Sequence, residues 1–212
     1  MLDELQVRVH AIALESARLG LIRGTSGNIS ARDPETGLVV ITPSGIPYEA
    51  LSPNDLPVVN LDGHLVRGNL KPSSETHLHM AVYRARTDVN GIAHTHSVYG
   101  TVFSVLNREI PTVTVPLALY GPVSVAPFRI PGSLELAEEV VTHLSKARKA
   151  ILLQNHGVLC VGVTVEEALN CAAYVEEGAQ VAYLAMAVGT FTSISPEHAE
   201  MMKEKAGRGE AL

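Results

Sequence analysis

The chain has 212 residues, 46% of them hydrophobic but only 4% aromatic, with no tryptophan and a formal charge of −6. That length suits one domain over residues 1–212, with about 195–212 as a C-terminal tail, and the scattered basic residues exclude the concentrated basic face that a nucleic-acid partner needs. No apolar run reaches the roughly 18 residues needed to cross a bilayer, residues 1–10 are charged rather than signal-like, and Cys160 and Cys171 read as reduced thiols. A cytoplasmic protein that acts on a small molecule is expected.

In chain order, apolar residues at Leu5, Val9, Ile12, Ala13 and Leu19 make a helical stripe over residues 2–19, which Gly20 stops. Next comes Gly24-Thr25-Ser26-Gly27-Asn28, two glycines around hydroxyls and an amide, leading into a strand at 28–31. Such a loop can turn its N–H groups onto an anion, but alone it reads as an ordinary turn, and no Gly-Lys-Ser/Thr follows to make it a P-loop. A turn at 33–37 precedes an apolar strand at 38–41, which runs into Thr42-Pro43-Ser44-Gly45, a second loop of hydroxyls beside a glycine. Residues 52–55 begin a short segment, and 57–60 with 64–66 flank Asp62-Gly63 as a hairpin.

Lys71-Pro72-Ser73-Ser74-Glu75 opens the next helix, with Ser73 or Ser74 as N-cap and Leu78, Val82 and Ala85 as its apolar face, ending near residue 86. The free amides and positive dipole end there suit a phosphate beside Ser73 and Ser74. A strand at 89–94 and a helix at 97–106 follow, then β-rich stretches at 112–119 and 123–126 on either side of Tyr120-Gly121-Pro122. An amphipathic helix is expected at 133–149, strands at 150–153 and 158–163, and a capping box at 164–167 opening a long Ala-rich helix to about 188. A last helix at 196–205 precedes a frayed end. Strands interleave with helices and several are joined by short turns, which predicts a mixed or largely antiparallel sheet with helices on both faces.

The chemistry centres on Gly91-Ile92-Ala93-His94-Thr95-His96. Alternate side chains of a strand share a face, so His94 and His96 can chelate one ion. Leu152-Leu153-Gln154-Asn155-His156-Gly157 offers a third imidazole where an apolar strand ends, and Glu75 offers a carboxylate. That donor set suits an exchangeable zinc site, from which Glu75 can withdraw to admit a substrate oxygen. His77 and His79 stand about 200° apart around a helix axis and cannot chelate together; His77 is expected at the surface or in the core, and His79 in a structural role.

In this order and spacing, Gly24-Thr25-Ser26-Gly27-Asn28, Ile41-Thr42-Pro43-Ser44-Gly45, Lys71-Pro72-Ser73-Ser74-Glu75, His94-Thr95-His96 and Asn155-His156-Gly157 resemble the class II aldolase/adducin family, in its L-fuculose-1-phosphate aldolase branch. The resemblance runs over residues 5–187. It implies a class II aldolase-like α/β fold of three αβα layers around a central mixed, largely antiparallel sheet, and a homotetramer. It implies Zn2+, or another divalent ion, on His94, His96 and His156, with Glu75 as fourth ligand in the empty site and as acid/base during turnover. Thr25, Gly27, Asn28, Thr42, Ser44, Gly45, Ser73 and Ser74 would then hold the sugar phosphate. The implied reaction is reversible cleavage of a ketose 1-phosphate to dihydroxyacetone phosphate and an aldehyde. Zinc on neutral imidazoles keeps most of its charge and can polarise a ketone, which aldol cleavage requires.

The sequence departs from that branch at its catalytic tyrosine. After Ile110-Pro111, Val115 stands at that position, and Tyr120, five residues on, is the candidate replacement. Epimerisation, dehydration or decarboxylation of a sugar phosphate or sugar acid is therefore the second reading. A non-enzymatic adducin-like module is the third, and it would not be expected to keep Glu75, His94, His96 and His156 together.

Overall fold

A computed structural model describes residues 1–144 and 148–211. The sheet is built from β1 (Gly27–Arg32), β2 (Val39–Ile41), β3 (Val58–Val59), β4 (Leu65–Arg67), β5 (Gly91–Thr95), β6 (Val125–Ala126), β7 (Ala150–Leu153) and β8 (Gly157–Gly162). Their order is β4-β3-β2-β1-β5-β8-β7-β6. The paired neighbours run antiparallel except β6 and β7, which are parallel, so the sheet is mixed and largely antiparallel, as expected.

The helices are α1 (Leu2–Arg18), α2 (Thr76–Ala85), α3 (Val98–Val105), α4 (Val115–Ala118), α5 (Leu134–His143), α6 (Val165–Val188) and α7 (Pro196–Gly207). Strand alternation divides the core between the two faces of the sheet. On one face Ile29, Ala31, Ala93, Val158 and Cys160 pack with Val9 and Ala13 of α1, Phe103 of α3 and the small residues Ala168, Ala172 and Ala179 of α6. On the other, Ile92, Leu159, Val161 and Ile151 pack with Leu78, Val82 and Tyr83 of α2 and Leu136 and Val140 of α5. The result is three layers, αβα. Each wholly buried aliphatic or aromatic side chain contributes about 1.5–3 kcal/mol, so these central strands, buried on both sides, form a firm floor. No helix among the described residues is long and apolar enough to cross a membrane.

Three local expectations need correction. Residues 112–119 are not a strand: Thr114 caps the short α4, its side chain accepting from Leu117 N at 3.3 Å, with Pro116 in the first turn. The β-branched run suggested extended backbone, but a cap and a proline at a helix start prevail locally. The N-cap of α2 is Glu75 rather than Ser73 or Ser74. Ser73 forms a turn just before it, its hydroxyl accepting from Glu75 N and its carbonyl from Thr76 N. Helix α5 ends at His143, short of 149; residues 145–147 of that expectation lie outside the described residues. The expected last helix is present as α7, with Ala199 buried and Ile194 N, just before it, donating to Thr112 O.

Candidate metal centre

His94 lies near the end of β5 and His96 just beyond it, where strand alternation places both rings on one side. Their Nε2 atoms are 3.1 Å apart. His156 arrives from the tight turn joining β7 to β8, in which Asn155 takes a left-handed φ of 55° and His156 N donates to Leu153 O. The three ring centroids are 4.8–5.0 Å apart and the planes are 67–85° to one another, forming a tripod whose ligand atoms lie within 4.8 Å of each other. Gly157 makes this approach possible. A Cβ there would press into the Thr95 carbonyl and come within 3.0 Å of His96 Cδ2 and 3.3 Å of His94 Cε1.

Glu75 closes the fourth side. Its Oε2 is 3.1 Å from His94 Nε2 and its Oε1 is 3.4 Å from His156 Nε2. His94 Nδ1–H donates to the Val158 carbonyl at 2.9 Å, so Nε2 is the ring atom that faces inward. Burial, followed by the charge of His94, pushes His96 and His156 down to about 4, so both rings are neutral at pH 7 and their lone pairs are free. Burial raises the Glu75 carboxyl, but the charge and hydrogen bond of His94, the charge of His156 and the Asn28 amide outweigh it and hold it well below the usual carboxylate range. Because His156 is neutral at pH 7, the Asn28 bond is one cause that persists there. Glu75 Oε1 is buried with no hydrogen-bond partner among the described residues. Three inward nitrogens and an unpartnered carboxylate oxygen create a demand for positive charge, and this donor set fits Zn2+ or a similar divalent ion.

Beside the tripod is a cavity of about 240 Å³. Of the residues expected to hold a phosphate, Thr25, Gly27, Ser44, Gly45, Ser73 and Ser74 line it, and Asn28 reaches its wall. Thr42 does not. It is buried, and its Oγ1 accepts from Ile29 N at 3.1 Å, so the hydroxyl is used to join β1 to the next loop. Asn28 is also differently employed, since its Nδ2 donates to Glu75 Oε2 at 2.9 Å and its Oδ1 meets His79 Nε2 at 2.5 Å.

Tyr120 is not brought to the histidines within the chain. It packs into the core of the other sheet face, stacked on Tyr174 of α6 at 5.9 Å and 20°, where burial, with Cys171, Tyr174, Glu167 and Cys160 beside it, pushes its hydroxyl up to about 12. Sequence reasoning missed three lining residues, Ser26, Pro43 and Pro131. Ser26 and Pro43 lie inside the two loops already singled out. Pro131 carries no signal of its own, because it reaches the site only through a loop whose Gly132 leans on the Ser74 carbonyl.

The model of the class II aldolase and adducin N-terminal domain matches residues 7–183. The chain belongs to this family. An L-fuculose phosphate aldolase of Escherichia coli K12 is 42% identical over 177 residues, 82% of this chain and 80% of that protein. A 5-deoxy-D-ribulose 1-phosphate aldolase of Bacillus thuringiensis serovar kurstaki is 37% identical over 187 residues, 88% and 87% of the two chains. A solved L-fuculose 1-phosphate aldolase superposes with a TM-score of 0.92 at 32% identity, covering 96% of each chain. Family members of another activity also match, among them a Salmonella paratyphi B L-ribulose-5-phosphate 4-epimerase at 31% identity, covering 88% of this chain and 87% of that one. As an enzyme, this class II aldolase falls among the carbon–carbon lyases.

Proposed function

We propose that the chain is a zinc-dependent aldolase that reversibly cleaves a ketose 1-phosphate, of the L-fuculose 1-phosphate kind, to dihydroxyacetone phosphate and an aldehyde. The observation that carries this reading is Glu75, a carboxylate that touches two of three convergent imidazoles and also borders an open cavity. Held by His94, His96 and His156, and by Glu75 before substrate arrives, a zinc or other divalent ion would supply the positive charge that polarises a substrate carbonyl.

The rest is work for the chain's own groups. The Thr25 and Ser44 loops, with Ser73 and Ser74, present hydroxyls and amides to a phosphate; among the described residues no lysine or arginine lines the cavity, so neutral donors would hold the phosphate. Glu75, displaced by substrate, stands where it can take a proton from, or return one to, the carbon next to the ketone. Its hydrogen bond from Asn28 aims it and adds to the contacts that favour its ionised form, the form a base requires.

The same reading includes a homotetramer acting in the cytoplasm. Apolar side chains left exposed on α3 and α6, among them Val105, Tyr183, Leu184 and Val188, support burial against further copies. Sedimentation equilibrium tests the assembly; a monomer at micromolar concentration contradicts it.

The decisive experiment incubates zinc-loaded protein with L-fuculose 1-phosphate and with 5-deoxyribulose 1-phosphate, and detects dihydroxyacetone phosphate with a coupled reductase. Release of that product from wild type but not from Glu75→Gln is expected. Substrate that changes without cleavage would favour the second reading, metal-dependent epimerisation, which the 31%-identical epimerase relative supports.

A further inference from the structure

His79 is wholly buried and takes no part in the chemistry proposed above, yet it stands in an unbroken hydrogen-bond chain that ends on Glu75. The chain runs from Tyr83 Oη to Ser30 Oγ at 2.8 Å, from Ser30 Oγ to His79 Nδ1 at 2.7 Å, from His79 Nε2 to Asn28 Oδ1 at 2.5 Å and from Asn28 Nδ2 to Glu75 Oε2 at 2.9 Å. Its direction follows from donor counting. An ionised carboxylate only accepts, so Asn28 must turn its NH2 toward Glu75 and its oxygen toward His79.

That oxygen requires a donor, which fixes the proton of His79 on Nε2. Burial, followed by the charge of His94, keeps the ring neutral by pushing it down to about 3, so Nδ1 has no proton and accepts from Ser30. Ser30, having given its proton, accepts from Tyr83. Arg32, whose guanidinium lies 5.2 Å over the Tyr83 ring, binds the carbonyls at the end of α2 and anchors the far end of the relay.

We propose that His79 is a positioning residue that locks the Asn28 amide so that its nitrogen, not its oxygen, meets Glu75. A flipped amide would set two acceptors against each other at the same 2.9 Å, and the carboxylate would turn away from the imidazoles. The His79 side chain therefore acts on the metal centre through Asn28. The proposal rests on the reading of Glu75 as a ligand of the empty site.

The test is a double-mutant cycle read by zinc affinity, measured by competition with a chromophoric chelator, alongside thermal melts of the metal-free proteins. His79→Leu and Asn28→Ala are each expected to weaken zinc about tenfold, and the double variant no further than Asn28→Ala alone. His79→Gln sets an amide N–H near the lost Nε2–H and should bind within about threefold of wild type. Ser30→Ala, a mild change that guards against misfolding of His79→Leu, frees Nδ1 and should weaken zinc by at least about threefold.

The proposal is overturned if His79→Leu and Ser30→Ala both bind zinc like wild type, if their melting points fall while zinc affinity does not, or if the two single effects add in the double variant. Coupling on zinc affinity in a wild type that releases no dihydroxyacetone phosphate supports the positioning role and refutes the aldolase reading.

Discussion

Gly157→Ala adds one methyl group where β8 begins, at the point where backbone and imidazoles are most crowded. The new Cβ would fall under 3.0 Å from the Thr95 carbonyl oxygen, 3.0 Å from His96 Cδ2 and 3.3 Å from His94 Cε1. Thr95 is paired on both sides, with Gly27 of β1 and Val158 of β8, so its carbonyl cannot swing aside and the strands must separate. Reaching an ordinary contact of 3.4 Å requires at least 0.4 Å of movement (3.4 − 3.0) between the segments that carry His94 and His156. Overpacking of this kind costs about 1–3 kcal/mol, and for a chain of this size about 2 kcal/mol lowers the melting temperature by about 4–8 °C. Zinc–ligand distances tolerate only about ±0.2 Å, so zinc binding should weaken by about 10–100-fold, beyond the loss of stability. Differential scanning calorimetry of the metal-free protein and chelator competition measure the two effects. A variant that melts within about 1 °C of wild type and binds zinc as tightly would refute this reasoning.

Glu75→Gln keeps the volume and loses the charge; zinc should remain bound at about tenfold lower affinity while dihydroxyacetone phosphate release falls by at least about 100-fold, and equal losses of both would make Glu75 a ligand only. Burial lowers the folded-state pKa of His96 and His156 to about 4 and of His79 to about 3, below the 6.5 of a solvated histidine in the unfolded chain. The unfolded chain therefore binds more protons, and the stability these rings contribute is full above pH 6.5 and lost as pH falls toward 4 and then 3. Melting temperatures of the metal-free protein should decline over that window, and a flat profile contradicts the burial. Glu176 of α6 accepts from Tyr99 N at 2.9 Å and Gly100 N at 2.8 Å, capping α3 directly after His96 while Ser97 Oγ has no partner among the described residues. Glu176→Ala should cost about 1.5–3 kcal/mol, seen as a melting point lower by about 5 °C, and an unchanged melt would show the cap to be dispensable.

His94 and His96 were legible because the period of a strand is short-range: two residues apart on β5 means one face, whatever the rest of the chain does. His156 lies about 60 residues away in a three-residue turn, and only motif order pointed to it. The largely antiparallel sheet was legible from the short turns between strands. What was not legible was decided by neighbours distant in sequence. Thr42 looks like a loop hydroxyl until β1 brings the Ile29 amide to it, and nothing local announces that α2 brings His79 and Glu75 to the Asn28 amide, which also lines the cavity. Residues 112–119 failed for a local reason, as a β-branched run disguised a capped helical turn at Thr114 and Pro116. Where Tyr120 packs was not legible, because position along the chain says nothing of which sheet face a side chain joins.

X-ray absorption at the zinc edge of the reconstituted protein tests most directly whether His94, His96, His156 and Glu75 hold one ion. The expected spectrum has one zinc per chain with about three imidazole nitrogens at about 2.0–2.1 Å and oxygen as the remaining ligand. A protein that takes up no zinc, or whose spectrum is fitted without imidazole scattering, would contradict it.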